Sequence, residues 1–262
     1  MKVQVLVAAL EQEPRQLAQT MQLNSDAILI NQCDHYAVEE WAENGHRIRA
    51  FSMAERGVGR SRNTAMMRAE GDICLFSDQD IIYEEDYEAK ILAEFEKNPR
   101  ADMLIFNIEI DEERRTYYNT ERKRVHLYNC GRYGAVSFAI RREALFASGV
   151  TFSLLFGGGA RYSNGEDSLF LKDFLKKGYR VYTAPVTIGR EKPTESTWFS
   201  GYHEKFFFDR GVLYHYLYGR LAGVMALRFL IAHEKKLCVQ LTRKEAFARM
   251  KAGIREGRKG TR

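Results

Sequence analysis

The sequence predicts an α/β protein: a mostly parallel central sheet with helices on both faces, followed by a C-terminal helical extension. Three observations predict it. Apolar, β-branched runs recur through the first half. The segments between them have helix length, which is the signature of βαβ units and a covered parallel sheet. From about residue 200 onward the pattern is helical alone.

Residues 3–8 (VQVLVA) form the first strand, 11–22 fit a helix and 27–31 (AILIN) a second strand. Residues 36–44 fit a helix, and 47–51 (RIRAF) a short third strand. A helix over 59–69 runs at once into the strand 73–77 (ICLFS), then come a helix at 84–97 and a strand at 103–110 (MLIFNIEI). The stretch 111–135, polar and rich in Arg and Tyr, reads as an excursion. SFAIRR at 137–142 is strand-like, the glycine-rich loop 156–165 opens into a helix at 166–178, and 180–188 (RVYTAPVTI, from Arg180) is a late strand. In such a sheet the ligand crevice lies beyond the carboxyl ends of the strands. Functional side chains are therefore expected there.

At 262 residues the chain suits one large or two small domains, and 45% hydrophobic with 29% charged residues is an ordinary globular composition. The net charge of +5 is unevenly placed. Residues 243–262 carry +6, which leaves −1 on everything before them. A near-neutral body argues against nucleic acid as a partner, while the basic end suits an anionic surface. The four cysteines (Cys33, Cys74, Cys130, Cys238) form no CxxC pair, so reduced thiols in a cytoplasmic protein are expected. The chain opens Met-Lys without a signal-like segment, and no apolar run reaches the roughly 18 residues of a membrane span.

Two acidic constellations carry chemistry. Asp78 and Asp80 follow the strand ICLFS. Two carboxylates so close repel unless a cation or proton intervenes, and oxygen ligands suit Mg²⁺ or Mn²⁺ together with substrate phosphates. The competing reading is a solvated Asp-rich turn. Upstream, Gly57 and Gly59 lead into a helix whose start carries Arg62, placed to meet a pyrophosphate. Further on, Glu166 and Asp167 open a helix, where the dipole favours carboxylates. Acidic capping alone would explain that pair too.

Joined, these pieces resemble family 2 glycosyltransferases, which have the GT-A fold. The resemblance is carried by Ser61, Arg62, Asn63, Ala69, Gly71, Asp72, Phe76, Asp78 and Asp80, and on the second half by Gly-Glu-Asp at 165–167 with Gly-Tyr-Arg at 178–180. It covers roughly residues 1–190 and points to enzymes that build bacterial surface polysaccharides. It departs from the family at Ile81, where many members have another acid, and at AALEQEP, where a Pro-x-Tyr-Asn turn is usual.

The resemblance implies a metal-dependent, inverting transfer of one sugar from a nucleotide-sugar, most often a UDP-sugar, to a glycan or lipid-linked acceptor. Asp167 would be the general base and Glu166 its support. Ala8, Ala9, Glu11, Asp34, Arg62, Asp78 and Gly158 would bind the nucleotide-sugar, and Asp80 with Asp78 the Mn²⁺ or Mg²⁺. Residues 1–198 would form the GT-A catalytic domain, with 1–82 the donor half and 83–198 the acceptor half, and 199–262 a helical region. Ser196, Thr197 and Trp198 resemble a segment of the polysaccharide-building members, and His203 is a candidate further metal or phosphate contact. The processive Gln-x-x-Arg-Trp motif is absent, so single-sugar addition is expected.

Residues 212–232 are apolar almost all round, and 243–256 place Phe247, Met250 and Ile254 on one face ringed by Lys and Arg. Three readings are open for them: packing on the catalytic domain, contact with the inner face of the plasma membrane, or a homodimer contact. Two other functions compete with transfer. A sugar nucleotidyltransferase usually has a glycine-rich loop after its first strand, and AALEQEP has no glycine. A non-catalytic sugar-nucleotide or polysaccharide binder of the same fold would not need the intact acids.

Overall fold

The structure, a computed structural model, describes residues 1–112, 115–192 and 201–260. Nine strands form a single sheet: β1 (Val3–Leu10), β2 (Asp26–Gln32), β3 (Ala37–Glu43), β4 (His46–Met53), β5 (Ile73–Asp78), β6 (Ile81–Tyr83), β7 (Met103–Glu109), β8 (Phe138–Arg141) and β9 (Val181–Glu191). Their order is β3-β4-β2-β1-β5-β8-β7-β9-β6. The strands β4, β2, β1 and β5 run parallel, as do β7 and β9. β3, β8 and β6 enter antiparallel.

Covering helices explain why these strands are apolar on both sides. Successive strand side chains point to opposite faces. Val3, Val5 and Val7 of β1 and Leu29 of β2 pack against Leu17 and Met21 of α1 (Pro14–Thr20 and its C-terminal cap) and against Ile91 and Phe95 of α3 (Tyr87–Lys97). Leu6, Ile28, Ile30 and Phe76 form the other layer, with α2 (Val58–Met66), α4 (Arg142–Ser148) and α5 (Glu166–Lys176) over it.

The segment 36–44, expected as a helix, is the edge strand β3. Its accessibility alternates residue by residue, with Trp41 packed inward and Val38, Glu40 and Ala42 outward. The cause lies in the turn that follows. Asn44 (φ 50°) and Gly45 (φ 82°) both adopt positive φ, which closes a tight hairpin onto β4. Glu40 then faces Arg49 across the ladder and accepts from Arg47 at 2.7 and 3.0 Å. The acids of this segment lie instead along a charged edge that resists further pairing.

The apolar stretch 212–232 is also not one helix. α6 (Glu204–Tyr218) and α7 (Ala222–Leu237) are separated by a 3₁₀ turn at Gly219–Leu221. α8 (Arg243–Lys259) turns its Met250 and Ile254 into a core of their own with Phe207 and Leu230. The crossing of α6 and α8 is very close. A Cβ on Gly211 would lie 2.1 Å from Met250 O, and one on Gly253 2.0 Å from Phe208 O. Gly253→Ala therefore forces the two backbones apart and is expected to lower stability by about 1–3 kcal/mol. Thermal denaturation of the full chain checks this, and an unchanged midpoint would show that the crossing relaxes freely.

Candidate active site

Arg62 stands at the centre of the site. It lies in the second turn of α2, is 4% exposed, and its guanidinium rests on the ring of Phe152 at 5.4 Å. Phe152 in turn stacks on Phe170 at 4.2 Å and meets Phe76 edge-on at 5.1 Å. A cation over this aromatic floor needs anionic partners, because burial of an unpaired charge is prohibitive. It finds them on two other elements. Nη2 donates to both oxygens of Asp78 at 2.9 and 3.0 Å, at the end of β5, and Nη1 donates to Glu166 Oε1 at 2.8 Å, at the start of α5. Burial alone would lower the Arg62 guanidinium, but Asp78, Glu166 and Asp167 outweigh it and raise it above its ordinary value. Its Nε–H finds no acceptor among the described residues.

Local structure fixes each partner. The first amides of α2 are taken by the sheet edge and by the glycine loop: Gly57 N–H donates to Gln32 Oε1 at 2.6 Å and Val58 N–H to Gly158 O at 2.9 Å. The loop lies against α2 and α5. At Gly157 (φ 102°) a Cβ would meet Val58 at 2.6 Å and the Glu166 carboxyl at 2.8 Å, so only glycine fits. Asn63 exchanges two hydrogen bonds with the Phe152 backbone at 2.8 and 2.9 Å, fixing the aromatic floor to α2.

Asp167 sits beside Glu166, half-buried, with Oδ1 accepting from Ser168 N–H at 2.7 Å. Burial first, and then the Glu166 charge, push its carboxyl up to about 7 against the opposing pull of Arg62. A Cβ on Gly134 would lie 3.8 Å from its Oδ2. A carboxylate with proton affinity near neutral is the property a general base needs.

The other candidates lie on the strand ends. Ala8 is level with Asp78, and Leu10 with Gln32. Ala8 and Ala9 are buried. Glu11, just past β1, is exposed and paired with Arg56 at 2.7 Å. Asp34 follows β2 with its side chain 95% exposed, and the hydrogen bond from His35 at 2.9 Å holds its carboxyl below the usual range. Arg62, Asp78, Glu166 and Asp167 are thus one cluster, while Glu11 and Asp34 stand outside those hydrogen bonds. His203 caps α6, its Nδ1 accepting from Phe206 N–H at 3.3 Å. Ser196, Thr197 and Trp198 lie outside the described residues.

Three carboxylates around one arginine leave surplus negative charge, to which Asp80 adds, two residues beyond Asp78. That donor set suits an oxygen-liganded divalent ion. Both oxygens of Asp78 are engaged by Arg62. Among the described residues, the one set of three potential ligands with mutually close donor atoms is Cys33, Asp34 and His35. An ion at Asp80 would accordingly need substrate phosphates to complete its shell.

Several contributors escaped the sequence reading. Gln79 accepts from Leu10 N–H at 2.7 Å and ties the turn after β5 to β1. Gln32, Phe152 and Gly134 likewise lack any local pattern that marks them.

The family model for "Glycosyl transferase family 2" matches residues 4–152, more than half of the chain. No curated protein matches it by sequence. Among solved structures, residues 1–349 of S. aureus TarS in complex with UDP-GlcNAc align with a TM-score of 0.61 at 16% identity, covering 92% of this chain and 74% of that one. The mannosyltransferase PcManGT from Pyrobaculum calidifontis, in complex with GDP-Man and Mn²⁺, aligns with a TM-score of 0.54 at 12% identity, covering 100% and 88%. With its mixed sheet and its acids at the strand ends, the chain belongs to glycosyl transferase family 2 and has the GT-A fold.

Proposed function

We propose that the chain moves one sugar from a nucleotide-sugar, a UDP-sugar in the leading reading, onto a hydroxyl of a glycan or lipid-linked acceptor, inverting the anomeric carbon. The observation that carries this reading is the Arg62 cluster. One buried cation ties a donor-side acid, Asp78, to an acceptor-side helix whose next residue, Asp167, has the proton affinity of a base at neutral pH. The similar structures with UDP-GlcNAc and with GDP-Man and Mn²⁺ support the donor class.

In this reading residues 1–82 hold the donor, 83–198 the acceptor, and 199–262 form the helical region. Ala8, Ala9, Glu11 and Asp34, on the edge of β1 and β2, face the nucleoside, with Gly158 in the covering loop. Arg62 orients Asp78 and Glu166. Asp167 Oδ1 is held by Ser168 N–H, which leaves Oδ2 to take the proton of the acceptor hydroxyl. The deprotonated oxygen forms its bond to the anomeric carbon as the bond to the diphosphate breaks. One base suffices for this single displacement, and no second carboxylate nucleophile is needed. A Mn²⁺ or Mg²⁺ ion on Asp80, with Asp78 beside it, would supply charge neutralisation to the leaving diphosphate.

Among the described residues, no helix is long and apolar enough to cross a membrane. The inner apolar face of α8 is already spent on α6. α7, by contrast, exposes Val224, Leu227 and Ile231 in one row, continued by Leu221 of the preceding turn, with Arg220, Arg228 and Lys235 around it. This pattern supports a peripheral contact with an anionic membrane surface, on the cytoplasmic side where a lipid-linked acceptor would be met.

Three outcomes test the reading. Asp80→Ala abolishes Mn²⁺-dependent UDP binding in calorimetry, and a wild-type chain that binds no UDP would sink the donor assignment. Asp167→Asn spares that binding but stops transfer, whereas a non-catalytic binder predicts UDP binding with no turnover in either chain. The wild-type rate should rise with pH through about 7, since the base works unprotonated. The sign for stability is opposite. The folded chain keeps a proton on Asp167 that the unfolded chain releases near the ordinary value of 3.8, so this group's contribution falls as pH rises from there to about 7. Asp167→Asn should therefore melt higher than wild type at pH 8. For the membrane contact, Leu227→Glu with Ile231→Glu should end co-sedimentation with vesicles containing phosphatidylglycerol. Equal sedimentation of the variant would remove α7 from that role.

A further inference from the structure

Residues 115–135 fold against β9 and line a cavity of about 380 Å³ that the Arg62 cluster does not use. Its size falls in the range of small-molecule clefts, about 300–1,000 Å³. The walls are anchored. Lys123 N–H donates to Thr183 Oγ1 at 2.8 Å, Val125 N–H to Val181 O at 2.9 Å, and Asn119 bonds to the backbone of Ile105 and the side chain of Asn107.

Two chemistries meet in this cavity. His126 and Tyr128 stack with centroids 5.4 Å apart and planes 8° from parallel, and Tyr128 is 77% exposed. Protein therefore leaves much of an aromatic surface uncovered. Arg124 and Arg132 line the same space, and neither makes an ion pair with a carboxylate among the described residues, whereas Lys123 is matched by Glu121 at 2.5 Å. The cavity is thus aromatic with a cationic surplus, the reverse of the acidic cluster. Its wall reaches toward that cluster. Tyr133 lines the cavity and packs on Tyr117 at 4.8 Å, and the next residue is Gly134, the neighbour of Asp167 Oδ2.

We propose that this cavity is an acceptor subsite and that the acceptor is an anionic glycan, with phosphate or carboxylate groups on or between its sugar units. The proposal rests on the transferase reading and adds the acceptor's chemical class. Aromatic faces take the apolar faces of such units, while guanidinium forks take phosphate or carboxylate in bidentate fashion. Aromatic and Arg side chains also serve single-stranded nucleic acid, but that partner wants a long basic groove. Here two arginines with no carboxylate partner among the described residues sit on a body of net charge −1.

Calorimetry on the full chain tests this, with a phosphodiester-linked oligosaccharide and an oligogalacturonate as probes, maltohexaose as the neutral control, and UDP with Mn²⁺ titrated in parallel. At least one anionic probe should bind, more weakly as salt rises. Arg124→Glu and Tyr128→Ala, both on exposed side chains, should each weaken it tenfold or more and leave UDP affinity and the melting temperature unchanged. The proposal is overturned if maltohexaose binds as well as the anionic probes, if neither anionic probe binds while UDP does, if both variants bind like wild type, or if an oligouridylate displaces the anionic probe at lower concentration. A wild-type chain that binds an anionic probe in this variant-sensitive way but not UDP would uphold the subsite and strike the donor reading instead.

Discussion

Every part of the candidate active site is arranged around the burial of one guanidinium. Arg62 is charged, nearly inaccessible, and seated on an aromatic floor where solvent cannot screen it. Such a group is tolerable only if its hydrogen bonds are well placed and its charge is matched, since breaking a buried pair typically costs about 3–5 kcal/mol. The matching acids come from the end of a strand and the start of a helix on different parts of the sheet. Holding Arg62 therefore holds β5 against α5. The glycine loop and Gln32 serve the same end, because they set where α2 begins and so where Arg62 points.

The same arrangement explains the acid–base asymmetry. Asp78 and Glu166 accept directly from the guanidinium, whereas Asp167 receives only its longer-range pull and sits beside a like charge. Burial and that like charge together raise the Asp167 carboxyl above its ordinary value.

Much of this was legible in the sequence because it is local. Asp78 and Asp80 follow an apolar strand, and Glu166 with Asp167 opens an amphipathic helix, so each could be placed at a strand or helix end from its neighbours. What joins them was not legible. Arg62 could be placed near an anion but not between two particular acids, since Glu166 is 104 residues away. Asn63 and Phe152 are equally remote partners. Other misses were local but ambiguous. In 36–44 the acids fit a helical face as well as a strand, and the Asn-Gly turn that decides the matter lies at its end. In 212–232 continuous apolarity concealed a break at Gly219, because the helices on either side of it, α6 and α7, both bury their inner faces. The shape of 111–135 had no periodic signal at all, since it is held by side chains of β7 and β9.

The wide spacing along the chain has a consequence for assembly. During synthesis the strands of the first half can pair, and Asp78 can reach Arg62, long before α5 exists. Until then the buried arginine has one of its two direct acid partners, and the aromatic floor lacks Phe170. Long-range contacts of this kind close late and slowly, so the first half waits as an unfinished layer with an under-compensated charge. The bond that joins the two halves of the candidate site is thus a late contact, made only once residue 166 has been synthesised.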